Sequence, residues 1–346
     1  MSQISSNVRV QDQRECNMTT RHGATNDTVS LSPQSEFAGP TLDFDMAAVK
    51  VGCAEYHEGP TGCTVFHFPS EVKVAADVRG GMPGTMMAAD GYTDAIVWAG
   101  GSLCGLQAAT GVTAELFARS GHDFGILPMV RAAVIHDYGP RKGKNTIYPD
   151  AVLGRAAVAA ARPGVFPLGA RGAGRSVAVG KFVSPRRAEP SGQGGAVRQI
   201  GKTKVAVFTV VNALGVIVNR HGEVLLGNRD PRTGERVHIL ANVDLAAEAL
   251  FSGGSRRVAP NTTLTLVVTN RKLELHELAQ LGRQVHSSMA RAIQPFHTRL
   301  DGDVLFTVTT GEVRDSTVSK DGLGLIASEV AWDAVLSCAA AATQEE

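Results

Sequence analysis

Asn261-Thr262-Thr263-Leu264-Thr265-Leu266-Val267-Val268-Thr269-Asn270 decides how the chain is read. A polar, glycine-rich run (Ser252, Gly253, Gly254, Ser255) gives way here to a β-branched run of strand character, so a loop delivers Thr262 to the edge of a sheet. If the bond between Asn261 and Thr262 is cut, Thr262 gains a free α-amine beside its own Oγ. Such an amine, with an ordinary pKa of about 8, can take the hydroxyl proton near neutrality, so one residue holds both nucleophile and base. The plainer reading is that Asn-Thr-Thr ends a loop and begins a strand. The flanking sequence decides between the two.

Upstream, Lys204 to Val211 is a second buried strand that stops at Asn212-Ala213-Leu214-Gly215, which puts Asn212 at a strand end. Lys181 lies in the segment Val-Ala-Val-Gly-Lys-Phe, where partial burial would lower its pKa. The run Gly169 to Ser176 has the look of a phosphate cradle, but lacks the GxxxxGK[ST] spacing and a strand feeding directly into it. Residues 228–236 and Ser252 to Pro260 read as a long exposed connection leading to the scissile position, with a short helical turn over Ala246 to Phe251. Downstream, Leu275, Leu278, Leu281, Val285, Met289 and Ile293 recur at helical spacing over Glu274 to Ile293. His286 lies on that helix, and local spacing offers it no acid partner. Asp301-Gly302-Asp303 precedes the strand Val304 to Val308, and two carboxylates around one glycine can orient an amine, hold a metal with His297, or form an ordinary turn. A last helix spans Leu323 to Ala341.

Nearer the N-terminus, residues 1–45 are rich in Ser, Thr, Asn and Gln and read as a flexible tail. Val49 to Ala54, Cys63 to Phe68 and Val72 to Val78 read as three short strands, the last two parted by a turn at Pro69-Ser70. The glycines between Gly100 and Gly111 suit glycine-punctuated helices packed closely, and Ala151 to Ala161 has helical propensity.

With 34 basic against 33 acidic residues, the formal charge of +1 leaves no electrostatic footprint for nucleic acid or an anionic membrane. The N-terminus has no apolar signal core, and no apolar run is expected to reach the roughly 18 residues of a membrane span. Five cysteines without a CxxC pair fit reduced thiols in the cytoplasm. Low charge, 19% of residues, with 38 glycines, suits close packing and oligomer interfaces.

Gly59-Pro60-Thr61-Gly62, Ala108-Ala109-Thr110-Gly111-Val112, Tyr148-Pro149-Asp150, Asn261-Thr262-Thr263, Gln284-Val285-His286-Ser287-Ser288-Met289, Ile293-Gln294-Pro295-Phe296-His297-Thr298 and Asp301-Gly302-Asp303 together resemble one family. They are similar to the autoprocessed L-aminopeptidase/D-esterase and β-peptidyl aminopeptidase family of N-terminal-nucleophile hydrolases. The closest resemblance is to its nylon-oligomer branch, the endo-type 6-aminohexanoate-oligomer hydrolases, over roughly Ala47 to Ala341.

The resemblance implies a four-layer αββα sandwich, cut at Asn261-Thr262 into a large chain (46–261 after the tail) and a small chain (262–346) that stay together. It implies Thr262 as nucleophile, Asn212 as oxyanion donor, Lys181 as a charge near the new amine, Asp301 and Asp303 orienting both, and Tyr148 lining the substrate site as a hydrogen-bond donor. It also implies a homotetramer and no metal or organic cofactor. One departure is local: Ala213-Leu214 follow Asn212 where the nylon-oligomer branch has Pro-Val, which bears on pocket shape. Three alternatives stay open: an aminopeptidase acting on peptides or β-peptides, an inactive binding or scaffold protein of the same fold, and a metal hydrolase built on His297, Asp301 and Asp303.

Overall fold

All ten residues of the strand that begins at Thr262 are buried, which is possible only for a strand flanked and covered on both faces. The computed structural model describes residues 23–141, 143–244, 261–314 and 317–343. Eight long strands and four helices carry the architecture. The strands are β1 (Lys50–Tyr56), β2 (Thr61–Val78), β3 (Gly91–Ala99), β4 (Val130–Val134), β5 (Gln193–Ile200), β6 (Thr203–Asn212), β7 (Thr262–Arg271) and β8 (Val304–Val313). The helices are α1 (Gln107–Arg119), α2 (Ala151–Ala159), α3 (Leu275–Ser288) and α4 (Lys320–Thr343).

Hydrogen bonding runs β5-β6-β7-β8-β2-β3-β4, with β1 on the N-terminal half of β2. The ladders are antiparallel except β7 with β8 and β3 with β4. The two strands expected on either side of Pro69-Ser70 are one strand: β2 runs through the proline, with its register against β3 shifting between His67 and Val72. Before that irregularity β2 pairs with β1, and after it with β8. A proline has no N–H for the ladder, so the strand bends there, and the single sheet folds over β2 into two stacked halves.

Alternation along the strands fills three cores, which define four layers. One face of β6, β7 and β8 presents Val205, Val207, Val211, Val267 and Leu305 to Leu278, Leu281 and Val285 of α3 and to Val330, Ala331, Ala334 and Val335 of α4. Their other face presents Phe208, Val210, Leu264, Leu266, Val268 and Phe306 to Val51, Phe66, Phe68, Ile96 and Trp98 of the second half-sheet. The far face of that half-sheet, with Val65, Ala95, Val97 and Ala132, packs on Val112, Leu153, Ala157 and Val158 of α1 and α2. The αββα sandwich is therefore built as expected.

Two glycines set the distance between α1 and α2. A Cβ at Gly111 would lie 2.0 Å from the Ala151 carbonyl oxygen, and one at Gly154 would lie 2.0 Å from that of Ala108. The N-terminus of α2 is capped by Asp150, whose carboxylate accepts from Leu153 N at 3.0 Å, and that of α3 by a reciprocal Glu274–Glu277 capping box.

Three further expectations change. The helix predicted to Ile293 ends at Ser288, with a 3₁₀ turn over Met289–Arg291. The tail predicted to reach residue 45 is fastened from Gly23 onward: Gln34 bridges to Glu55, and Thr41–Asp43 pairs with Val165–Pro167. Residues 1–22 lie outside the described residues, as do 245–260, which contain the short turn and glycine-rich connection expected before Asn261. Lys320–Ala342 is long and apolar enough to cross a membrane, with mean hydropathy 1.5, contrary to the expectation that no run would be. Half of that span is buried inside the protein, with Leu323, Ala327, Val330, Ala334 and Cys338 in the core against the sheet, so the composition is that of a core helix. The Gly169 to Ser176 loop closes on a buried acid: Gly172 N donates to Glu55 Oε1 at 2.7 Å and Arg175 pairs with Glu55 at 3.0 Å.

Candidate active site

Thr262 opens β7 directly opposite Asn212, the last residue of β6, because the antiparallel register brings the start of one strand to the end of the other. Asn261 and Thr262 are both buried. Thr262 Oγ donates to the carbonyl oxygen of Asn261, 2.6 Å away. The same oxygen accepts from Gly302 N at 2.7 Å, and Asn261 N donates to Leu300 O at 2.9 Å. The candidate scissile peptide is thus laid alongside residues 300–302.

Lys181 is placed by the turn after β6: its N–H donates to Leu214 O at 3.0 Å, and Gly180 N donates to Gly215 O at 2.7 Å. Its Nζ then donates to both the backbone oxygen and Oδ1 of Asn212, each at 2.9 Å. Burial brings the Lys181 amine down to about 7, against a smaller upward pull from Asp301. Asn212 has its amide committed: Oδ1 also accepts from Ala178 N at 3.1 Å, and Nδ2 donates to His136 O at 3.1 Å. Asn212 therefore holds Lys181, and its donor faces His136.

The two aspartates have separate tasks. Asp301 ties the loops together, its Oδ1 accepting from Leu214 N at 3.3 Å and its Oδ2 from Thr298 N at 3.0 Å. Asp303 sits beneath Thr263, with Oδ1 accepting from Thr263 N at 2.7 Å and Oδ2 from His297 Nδ1 at 2.8 Å. Burial pushes the Asp303 carboxyl up to about 6, although the His297 contact pulls the other way. With the aspartates so engaged, and with no cluster of three metal-ligating side chains among the described residues, the geometry offers the metal reading no support.

Thr262, Asn261, Asn212, Lys181, Asp301 and Asp303 are thus brought into one hydrogen-bonded neighbourhood. Tyr148 is tied to other partners: its backbone bonds the Asn26 side chain, and its hydroxyl accepts from Gln107 Nε2 at 3.4 Å.

Local reading missed three features. His286 does have an acid partner, Asp77 Oδ2 at 2.9 Å, which comes from β2, far away in sequence. Burial drives His286 down to about 4. Its ring stands 4.3 Å, centroid to centroid, from that of His297, so the Asp303–His297 contact continues into a buried His286–Asp77 pair. The third is the N–H of Gly302, whose only trace in the sequence is the glycine between two aspartates.

Residues 44–346 match peptidase family S58. The chain is 43% identical over 326 residues to a 6-aminohexanoate-oligomer endohydrolase of Paenarthrobacter ureafaciens, covering 91% of this chain and 90% of the relative. It is 42% identical to a protein of the same name from Agromyces sp. (strain KY5R), over the same shares of the two chains. An uncharacterised aminopeptidase of Mycobacterium tuberculosis (strain ATCC 25618 / H37Rv) is 33% identical over 73% of this chain and 74% of its own. Among solved structures, the L-aminopeptidase D-Ala-esterase/amidase of Ochrobactrum anthropi, described as a variant of the Ntn hydrolase fold, superposes with a TM-score of 0.58. The match has 15% identity over 90% of this chain and 88% of that one. A Burkholderia sp. β-aminopeptidase superposes at 0.57, with 16% identity over 88% of each chain. Family match, relatives and fold agree, and the chain belongs to peptidase family S58, with the Ntn-hydrolase variant of the αββα sandwich.

Proposed function

We propose that this chain is a self-cleaving amide hydrolase that cuts its own Asn261–Thr262 bond and then uses the new N-terminal Thr262 to hydrolyse 6-aminohexanoate oligomers in an endo mode. The observation that carries the reading is the Thr262 hydroxyl lying 2.6 Å from the carbonyl oxygen of the bond before it, on an otherwise buried strand end. Attack by a neighbouring hydroxyl on a peptide held in place replaces an encounter in solution by an intramolecular step. The substrate class is supported by the 6-aminohexanoate-oligomer endohydrolase names of relatives matching over nine-tenths of the chain.

Before cleavage the Thr262 nitrogen is an amide and cannot accept a proton. Lys181, whose amine burial brings down to about 7 and whose Nζ is held by Asn212 opposite Thr262, is the group we assign to take the hydroxyl proton. Attack forms an ester between Thr262 Oγ and Asn261, the proton passes to the departing nitrogen, and water hydrolyses the ester. After cleavage the Thr262 amine serves as base, with Lys181 as a nearby positive charge that lowers the amine's pKa. Substrate amide then acylates Thr262, its leaving amine takes the proton from the Thr262 ammonium, and water releases the acid. Asn212 can turn its amide toward the substrate carbonyl once the residues before the cut have moved.

The exposed Leu103, Phe124, Ile126 and Leu127 supply apolar surface for the homotetramer, and free thiols at Cys53, Cys63, Cys104 and Cys338 suit the cytoplasm. The decisive experiment combines intact mass with substrate choice. Fragments 1–261 and 262–346, with turnover of an amino-blocked 6-aminohexanoate oligomer, are expected. Turnover of free-amine dipeptides alone would replace the endo reading by an aminopeptidase, and a single uncut, inactive chain would leave a scaffold.

A further inference from the structure

We infer that the backbone N–H of Gly302 is the oxyanion donor of the self-cleavage step, an inference that rests on the reading of Thr262 as the nucleophile. Thr262 Oγ and Gly302 N both donate to the Asn261 carbonyl oxygen. The first must give up that contact when it attacks, since its proton leaves and its oxygen bonds the carbonyl carbon. As that C–O bond forms, the carbonyl π pair moves onto the oxygen, and the Gly302 N–H, already 2.7 Å away, holds the charge. The pair then returns as the bond from carbon to Thr262 N breaks, and that nitrogen takes the proton carried by Lys181. Asn212 is not poised for this step, because its Nδ2 donates to His136 O.

The donor is fixed from both sides. Asp301 is held by Leu214 N and Thr298 N, and Asp303 by Thr263 N and His297. The backbone oxygens of the same two residues accept from Met82 N at 3.0 Å and Arg79 N at 2.8 Å. Gly302 cannot carry a side chain here, since a Cβ would lie 2.4 Å from the Met82 carbonyl oxygen. A peptide N–H that needs no rearrangement as charge develops is the arrangement in which a single donor contributes most.

The test removes the N–H and adds no bulk. The full chain is made by cell-free translation with glycolic acid in place of Gly302, which turns that amide into an ester, and the appearance of fragments 1–261 and 262–346 is followed by mass spectrometry. Cleavage is expected to slow by a factor of about a hundred or more, the effect of losing one oxyanion donor. The same ester at Gly222, whose N–H bonds Asn219 O in a remote turn, is expected to cleave within about threefold of the unmodified chain. Gly302→Ala, which displaces the same N–H against Met82, is expected to slow cleavage as well. If Gly302→Ala does not fold, the ester chain decides alone, its resistance to trypsin, compared with that of Thr262→Ala, showing that it is folded. A Gly302 ester that cleaves at the unmodified rate overturns the inference while leaving Thr262 in place. If the unmodified chain stays whole, or Thr262→Ala is cut, the nucleophile reading falls and this inference falls with it.

Discussion

On the proposed mechanism Thr262 acts twice, first without and then with an α-amine. Thr262→Ala removes the oxygen that attacks, so the variant is expected to remain a single chain of 346 residues with no amidase turnover; fragments in its mass spectrum would dismiss the mechanism. Lys181 supplies the pH dependence. Its folded pKa of about 7 lies below the ordinary 10.5, so between those values the unfolded chain binds the extra proton and stability rises with pH. Asp303 works in the opposite sense: its folded pKa of about 6 lies above 3.8, so its contribution is lost as pH rises through that lower window. Urea titrations of Thr262→Ala from pH 7 to 8, below the range in which burial of the Cys53, Cys63 and Cys338 thiols costs stability, should therefore show increasing stability, and adding Lys181→Met should abolish the increase. The self-cleavage rate of the wild-type chain should climb through pH 7 and level off above it. Lys181→Arg, which stays protonated, should lose that climb and cleave far more slowly.

At the level of elements, the site depends on strands ending where they do. β6 stops at Asn212 and β7 starts at Thr262 because the register pairs those two residues, and Asp303 fixes the start of β7 through Thr263 N. The helical layers behind act by holding the half-sheets in place. α1 and α2 touch backbone to backbone at Gly111 and Gly154, where an added methyl meets a carbonyl oxygen rather than a side chain that can turn aside. Gly111→Ala is expected to destabilise the protein by about 1–3 kcal/mol, the usual cost of overpacking, read from the denaturation midpoint of the Thr262→Ala background. No loss there would mean that the two helices move apart freely.

On the scale of the whole molecule, self-cleavage would cut the chain without opening it. The small chain begins with a central strand, hydrogen-bonded to β6 on one side and to β8 on the other, with Phe208, Leu266 and Phe306 packed across the inter-sheet core. Fragments 1–261 and 262–346 are therefore expected to co-elute under native conditions and to separate only in denaturant. The unfolding midpoint of the processed protein should rise with protein concentration, because its refolding is bimolecular, whereas that of Thr262→Ala should not. A processed protein with a concentration-independent midpoint would mean that one chain holds the fold alone.

The sequence by itself determined the two central strands, whose β-branched runs over Lys204 to Val211 and Thr262 to Thr269 admit little else, the amphipathic helix after them, and, through an ordered resemblance to one family, the side chains gathered around Thr262, though not the place of Tyr148. Local pattern carries this much because propensity and periodicity act within a few residues. Only the tertiary structure decided the rest. It carried β2 straight through Pro69, since a strand that passes from one half-sheet to the other is held by partners on both. It gave His286 its acid from a strand more than two hundred residues away, and turned Asn212 toward Lys181 and His136. It aimed the Gly302 N–H at the Asn261 carbonyl, a contact between main-chain groups that no side-chain pattern can announce. Each of these depends on where distant segments meet, and that is set by the packing of three cores at once.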